Sequence, residues 1–385
     1  VVDFGPLPSV EAYFTLKTAE TDAGPSLYVD ANSGEHWQAD FRAPERGLQP
    51  LGKVTGESQT GDYLRQALHD QIYESAYCET LAYSPGGVCA VVTSRRDDRI
   101  ALAWAPTTEF RTFLKPARVK NGVRIEDPFP KRQVVGLRSL ELGRNDQPIA
   151  RDGYTLQRSL GNTASIVRDD GTMALLVEWN YTIVKNETGK KPATGNFFEV
   201  EMIFIKDSKP SRVNVQGWNT NKSVQSADVT ATADGRFWFG AIISRELLVW
   251  SVNEAGEQSA LRRVAGSRNN NKQDIRAFGL EPLGTGVVVG WLDIRAAYIL
   301  NPFAPTLIKS MSEHSQIALR TVTNDEMGPE RLLSTKSGSV ANWVMRAGSG
   351  GVTLGWIVKT VDPDDPLKTV AGDPGRLQGI FLPGP

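Results

Sequence analysis

Two stretches of this chain, Gly286-Val-Val-Val-Gly-Trp291 and Gly351-Val-Thr-Leu-Gly-Trp356, are so similar that they read as one structural unit used twice. Three further runs end at an equivalent place: Arg99 to Trp104, Ala174 to Trp179 and Arg236 to Ala241. Apolar residues within each run fall mostly at alternate positions, as in Ile100, Leu102 and Trp104 or Val352, Leu354 and Trp356. A period of two puts alternate side chains on one face of a strand. The residues between them are small or apolar (Ala101, Ala103, Gly290, Gly355). That suits an inner strand covered on both faces, with small side chains where a neighbouring sheet comes close.

Turn chemistry brackets the runs. Asp97-Asp98, Asp169-Asp170-Gly171, Asp234-Gly235, Gly284-Thr285-Gly286 and Gly348-Ser349-Gly350 supply the positive-φ residues of tight hairpins. Another strand is expected before each turn (Ala164 to Arg168, Asp228 to Ala233, Ile275 to Leu280, Val340 to Arg346). A third is expected after each run (Phe197 to Ile205, Glu246 to Val252, Ala297 to Leu300, Leu377 to Leu382). With Trp37, in the less typical setting Ser33-Gly34-Glu35-His36-Trp37, as a sixth marker, the ring divides evenly enough to give six units, or seven if Val134 to Leu142 founds its own. Repeats of three or four antiparallel strands with almost no helical periodicity predict an all-β fold, a six-bladed (or seven-bladed) β-propeller, with a pair of β-sandwiches as the main rival. The expected organisation is a single propeller domain over residues 1–385, closed by pairing of N- and C-terminal strands, Val10 to Leu16 with Leu377 to Leu382. Asp62 to Tyr73 carries Leu64, Ala67, Leu68 and Ile72 on one helical face and reads as a loop helix. Asn180 to Asn196, Ser267 to Gln273 and Val361 to Pro374 read as exposed loops.

Composition narrows the functional classes. The 43 basic and 44 acidic residues give a net charge of -1 and are spread along the chain, so no overall field draws it to nucleic acid or an anionic membrane. No apolar stretch approaches the roughly 20 residues of a membrane-spanning helix, and no membrane span is expected. The start, Val-Val-Asp-Phe-Gly-Pro, has neither a signal peptide nor an initiator methionine, which is compatible with a processed chain that has lost an export signal.

The two cysteines, Cys78 and Cys89, flank Ser84-Pro85-Gly86-Gly87, a hairpin turn by composition. They are expected to bridge across the hairpin as a disulfide, worth on the order of 3 kcal/mol in the chain-entropy model, and so to indicate an extracytoplasmic setting: periplasmic, cell-surface or secreted. Two buried free thiols are the competing reading. With no C-x-x-C spacing and no second pair, metal or redox chemistry has no support.

Gly286 to Trp291 continues Leu-Asp-Ile-Arg295, and this stretch resembles a blade of secreted bacterial β-propeller repeat proteins, in which a Gly-led apolar strand ends in Trp and is followed by Asp and Arg. The Gly351 to Trp356 run is similar but continues Ile-Val-Lys. The resemblance extends weakly over residues 160–385 and implies a fold and a secreted setting, with no single activity. Phe41-Arg42-Ala43-Pro44 is similar to the Phe-Arg-Ile-Pro signature of sialidases, whose arginine binds the substrate carboxylate. Thr232-Ala-Asp234-Gly-Arg-Phe-Trp238 departs from the sialidase turn by placing Gly directly after Asp.

Few constellations carry chemistry. His36, His69 and His314 are scattered singly, without the spacing that aims two imidazoles at one metal. Gly189-Lys190-Lys191 lacks the rest of a phosphate loop, and G-x-S-x-G is missing. Asp169 with Asp170, and Asp362, Asp364 and Asp365, are weighed as calcium ligands or as solvated turn residues, and the six to eight oxygens that calcium requires favour the latter. Arg95-Arg96 and Arg262-Arg263 read as solvated faces. Trp104, Trp179, Trp291 and Trp356 sit at matched strand positions and are expected to pack between blades, whereas Trp37, Trp218 and Trp343 are candidates for exposed contacts. No catalytic residue, metal site or cofactor is assigned. The leading expectation is an exported, non-catalytic propeller that binds or scaffolds a protein or glycan partner through loops on one face. The alternative is a sialidase-like carbohydrate-active hydrolase with carboxylates and arginines meeting at the central channel. A third is an accessory subunit of a larger envelope assembly.

Overall fold

A computed structural model describes residues 1–8, 14–21, 24–31, 35–51, 60–73, 76–113, 118–120, 123–125, 131–151, 154–185, 193–216, 218, 221–266, 273–301, 304–333, 338–348, 350–364 and 368–384. Asp365, Gly189-Lys190-Lys191 and residues 267–272 of the Ser267 to Gln273 loop lie outside them, as do the side chains of Arg295 and His314. Among the described residues the fold is all-β, with one α-helix and one 3-10 turn.

Six sheets of four or five antiparallel strands carry most of the chain. Sheet I holds Phe14–Thr21, Gly24–Ala31, His36–Asp40 and Gln49–Pro50. Sheet II holds Ala76–Ser84, Gly87–Ser94, Arg99–Ala105 and Arg138–Arg144. Sheet III holds Gln147–Arg151, Tyr154–Val167, Met173–Lys185, Ala193–Lys206 and Lys209–Asn214. Sheet IV holds Val224–Ala231, Phe237–Ile243, Glu246–Val252 and Arg262–Gly266. Sheet V holds Gln273–Leu283, Gly286–Asn301, Ala304–Val322 and Arg331–Leu332. Sheet VI takes Gly338–Gly348, Gly351–Thr360 and Arg376–Pro383 from the end of the chain and Val2–Pro6 from its start.

The chain divides into two compact units, residues 1–55 with 230–385, and residues 56–229. In the first unit, sheets stack face to face in order. Trp238 and Val249 of sheet IV pack with Phe278, Val289 and Trp291 of sheet V. Val288 and Leu319, on the other face of sheet V, meet Leu354 and Trp356 of sheet VI. Ile357 and Leu377 of sheet VI then meet Leu27 and Val29 of sheet I. This double coverage is why the central strands read as continuous apolar runs: Phe237–Ile243 is buried at every position. The matched tryptophans are core residues, with Trp104, Trp179, Trp291 and Trp356 between 0% and 5% exposed.

In the second unit, Val91, Leu102 and Trp104 of sheet II pack on Leu175, Val177 and Trp179 of sheet III. The opposite face of sheet II is covered by the helix Thr60–Ile72, whose Leu64, Ala67 and Leu68 sit against Val88, Ala90 and Ala103. The expected loop helix is therefore a core element, because an apolar sheet face needs cover that a helix supplies as well as a sheet does.

Other expectations are corrected in position. The strand beside Arg376–Pro383 is Val2–Pro6, in register from Val2 opposite Gly379 to Pro6 opposite Arg376. Of Val10 to Leu16, residues 10–13 lie outside the described residues and Phe14–Thr21 opens sheet I. Ala297 to Leu300 continues the Gly286–Asn301 strand, and Ala304–Val322 is the next one. Val134 to Leu142 founds no sheet of its own; Arg138–Arg144 joins sheet II. Much of the Asn180 to Asn196 insert extends the hairpin of Met173–Lys185 with Ala193–Lys206.

Cys78 and Cys89 are free, which corrects the expected disulfide. Cys78 lies opposite Val92 and Cys89 opposite Ala82. They are thus at least three positions out of step, about 10 Å along a strand rising ~3.4 Å per residue, well beyond disulfide reach. A bulge between Cys78 and Thr80 also turns Cys78 away from the face that carries Ala82 and Cys89. The faces differ too: Cys89 packs toward sheet III and Cys78 toward the helix.

Candidate functional site

Three hairpin turns of the second unit meet around one cleft. Ser84–Gly87 links two strands of sheet II, Arg168–Thr172 links two of sheet III, and Asp207-Ser208 links the next pair of sheet III. Asp207 and Ser208 have φ of 49° and 61°, the paired left-handed conformation of a two-residue type I′ turn. The Arg168 turn closes on backbone hydrogen bonds from Arg168 N to Thr172 O (2.9 Å) and from Gly171 N to Arg168 O (3.0 Å). The first two turns are fastened together where Ser84 Oγ donates to Arg168 O at 3.1 Å. Gly86 lets them touch, since a Cβ there would lie 2.2 Å from Arg168 O and 2.6 Å from Gly171 N.

The cleft has a volume of about 480 Å³, with Pro85, Pro106, Trp104, Met173 and Ile205 as its apolar wall and Asp169, Asp170, Lys206 and Asp207 as its polar rim. Asp170 accepts from Thr172 N at 2.9 Å and pairs with Arg168 at 3.0 Å. Burial pushes its carboxyl up, but the Thr172 hydrogen bonds and the Arg168 and Lys206 charges outweigh that and hold it below the ordinary carboxylate value. Trp104 is 5% exposed, and its buried indole Nε1–H has no acceptor among the described residues. Two of its counterparts are satisfied: Trp179 donates to Glu201 Oε2 and Trp356 to Gln378 Oε1, both at 3.1 Å. The sequence had singled out Asp169 and Asp170, but the part played by Trp104 and Lys206 depends on a convergence of turns that no local motif records.

A second cleft, of about 330 Å³, lies between sheets IV and V of the first unit. Trp291 and Asp293 of the Gly286 to Arg295 stretch line it with Arg263, Arg320 and Glu330. Its charges are paired: Arg320 with Glu330 at 3.3 Å and Arg263 with Glu246 at 3.2 Å. Arg42, of the Phe41 to Pro44 echo, lines a third cleft of about 470 Å³ and is the one charged side chain among its lining residues, beside Phe41, Ile380 and Phe381.

Several sequence candidates have structural roles. His36 bonds Asp30 at 2.7 Å, and Asp362 accepts from Asp364 N at 2.9 Å in a local turn. Trp37 and Trp343 are half-buried against the sheet I/VI and V/VI cores rather than free on the surface, and Trp218 is half-buried as well. Among the described residues no group of three or more His, Cys, Asp or Glu is placed to hold a metal. No described helix is long and apolar enough to cross a membrane. Sequence reading missed the buried carboxylates. Glu178 is fully buried and takes hydrogen bonds from Asn162, Ser223 and Val224. Glu281 accepts from Arg346 Nη1 (3.1 Å) and Ala347 N (3.0 Å). Glu201 holds Trp179 and pairs with Arg212 at 3.4 Å. A Glu inside an otherwise apolar run, as in Leu-Leu-Val-Glu178-Trp, was the available signal.

No protein-family profile and no curated protein matches the chain, so the likeness to secreted propeller repeats gains no sequence-family support. Among solved structures, it is similar to a protein of unknown function from Dyadobacter fermentans (10% identity, 98% of this chain and 97% of that one, TM-score 0.36). It is also similar to Trypanosoma rangeli sialidase in complex with the inhibitor DANA (11% identity, 95% of this chain and 54% of that one, TM-score 0.34). A third similar structure is Penicillium chrysogenum α-L-arabinanase complexed with arabinobiose (11% identity, 80% of this chain and 82% of that one, TM-score 0.34). At these identities and TM-scores the likenesses assign the chain to no family and carry no argument about activity.

Proposed function

We propose that the protein is a non-catalytic binding or scaffolding module of β-propeller type, with the six large sheets as blades, and that it holds a protein or glycan partner at the turn-lined cleft of residues 84–87, 168–172 and 206–208. One observation carries this reading: two turns from two packed sheets are pinned to one another, beside a third turn, around a preformed cleft rimmed by Asp169, Asp170, Lys206 and Asp207. Preformed concavity with a few convergent polar groups is what a binding site needs. An exported setting belongs to the proposal on the repeat resemblance alone, since Cys78 and Cys89 form no bridge.

The competing reading is a glycosidase. That chemistry uses two carboxyl groups flanking the scissile bond, about 5 to 9.5 Å apart. Glu178, Glu201 and Glu281 are each engaged by donors within the fold, a state suited to bracing sheets. Glycan-array and partner-capture binding, run beside turnover of fluorogenic glycosides, separates the two. Binding without turnover is the expected result. Turnover that disappears in Arg42→Ala would replace the module by a hydrolase.

A further inference from the structure

We propose that the groove where sheets VI and I meet binds a short extended peptide segment of a protein partner, with an Asp or Glu side chain on Arg42 and a neighbouring large apolar side chain on Phe41, Ile380 and Phe381. This surface belongs to the first unit and is additional to the turn-lined cleft of the second.

The groove is longer than either of its parts. The cleft of about 470 Å³ beside Arg42 shares Pro25, Gly350 and Phe381 with another of about 340 Å³, which continues past Thr18, Thr353 and Arg346. Among the described residues, neither cleft has an acidic side chain in its lining. Arg346 holds Glu281 through Nη1 at 3.1 Å yet leaves 72% of its own side chain exposed. No described carboxylate pairs with the Arg42 guanidinium; Asp40, two positions back, accepts from the Arg42 backbone N–H at 2.8 Å.

The walls are held ready. Arg42 lies along Gly24, where a Cβ would stand 2.5 Å from Nε and 2.8 Å from Cζ. Phe41 meets Phe4 edge-on at a centroid distance of 5.1 Å, and a Cβ at Gly379 would lie 2.7 Å from Phe41 Cζ. Two glycines thus let a guanidinium and an aromatic ring settle on backbone beside one cleft. Groups fixed before binding lose little freedom on binding.

Charge and polarity select the occupant. An open guanidinium in an acid-free lining suits an anion, and its fork matches a carboxylate. A bare inorganic anion would leave Phe41, Ile380 and Phe381 uncovered. A nucleic acid brings a run of phosphates, against which one open guanidinium and a chain net charge of -1 offer little. A fatty acid would lay its tail over Thr18, Thr353 and the backbone of Gly348, Gly350 and Gly351, burying polar groups without partners. A peptide brings its own N–H and C=O groups to that stretch, while its side chains meet Arg42 and the rings.

The test probes the full chain with an array of amide-capped octapeptides that place Asp, Glu, Asn or Gln beside Phe, Leu or Ala in a Gly-Ser background. The best binder is then titrated by fluorescence polarisation. Acidic peptides with Phe or Leu should bind in preference to their amide counterparts, and the affinity should fall as NaCl is added. Arg42→Gln should weaken binding about tenfold or more, the loss of a charge-assisted hydrogen bond. Arg42→Lys, which keeps the charge without the fork, should recover only part of that. Arg346→Gln should cost less, because Glu281 already shares its charge. Arg42 is exposed, so its variants should keep the parental melting temperature. The proposal fails if no acidic peptide is preferred to its amide counterpart, or if Arg42→Gln binds the best peptide as tightly as the parent. Binding of oleate or inorganic phosphate with none of the peptides overturns it as well. Glycan-array binding alongside such a failure would leave the module reading in place without this groove.

Discussion

Gly355 lies so close to Leu27 that a Cβ at position 355 would sit 2.5 Å from Leu27 Cδ2 and 2.6 Å from Cδ1. Leu27 is fully buried, so its methyls have nowhere to retreat. The glycine of Gly-Val-Thr-Leu-Gly-Trp356 therefore sets the spacing between sheets VI and I. Gly355→Ala is expected to destabilise the protein by about 1–3 kcal/mol, the usual cost of overpacking. Gly195→Ala, whose Cβ would meet only Ile183 Cδ1 at 3.8 Å, should stay within about 0.5 kcal/mol. Urea unfolding midpoints check both. Leu27→Ala combined with Gly355→Ala should lose less than the two single losses added, since the first removes the obstacle to the second.

That pair shows how far sequence reaches. Alternation, Gly-rich turns and small residues between apolar ones identified the central strands and the close approach of sheets, because those properties follow from local geometry. Register across the hairpin does not follow from spacing: the turn at 84–87 sets Cys89 opposite Ala82, and the bulge between Cys78 and Thr80 turns Cys78 to the other face, which together remove the expected bridge. Leu64, Ala67 and Leu68 marked a helix, but only the uncovered face of sheet II explains why it is buried. Asp169 and Asp170 could be picked out as a turn. Their neighbours Trp104 and Lys206 are 65 and 36 residues away in sequence and arrive through sheet packing.

The thiols make a direct check on that register. Burial pushes the Cys89 thiol well up, and the Cys78 thiol is also raised by its burial. Thiolate is the reactive species, so native protein should label with Ellman's reagent slowly at Cys78 and not at Cys89. Unfolding without reductant should release two titratable thiols, and added reductant should leave the melting temperature unchanged. A thiol count of zero would restore the bridge and contradict the observed pairing.

Acid sensitivity follows from Asp30, which pairs with Lys17 at 2.8 Å and His36 at 2.7 Å. Burial raises its pKa, but the hydrogen bonds and charges of those two partners prevail, leaving it below its ordinary value of 3.8. Asp373 behaves alike, burial being outweighed by hydrogen bonds from Thr360 N and Gly375 N. A depressed carboxyl pKa means that the folded state binds the proton more weakly than the unfolded one. The stabilisation is therefore complete above about pH 5 and is lost as pH falls through 3.8 toward the folded values. Melting temperature should be flat from pH 7 to about 5 as far as these groups determine it, then drop. Asp30→Asn should lower stability at pH 7 by about 1 kcal/mol or less, given the partial exposure of Lys17, and lessen the acid drop.

Glu178 offers the sharpest distinction between a brace and a catalytic acid. Its Oε2 accepts from Asn162 N at 2.9 Å and Asn162 Nδ2 at 3.3 Å, and its Oε1 accepts from Ser223 Oγ at 2.9 Å and Val224 N at 2.6 Å. Four donors converge on a fully buried group, tying the strand Met173–Lys185 to the start of the strand Val224–Ala231. Glu178→Gln puts an NH2 where one oxygen accepted two bonds, so donors face a donor in the interior. The expected loss is about 2–3 kcal/mol, close to that of Glu178→Ala, because in both variants buried N–H groups lose their acceptor. A catalytic carboxyl would behave in the opposite way, its amide keeping stability while abolishing turnover. Urea unfolding of the two variants decides: a Gln variant within about 0.5 kcal/mol of the parent would remove the bracing role and return Glu178 to the list of candidate acids.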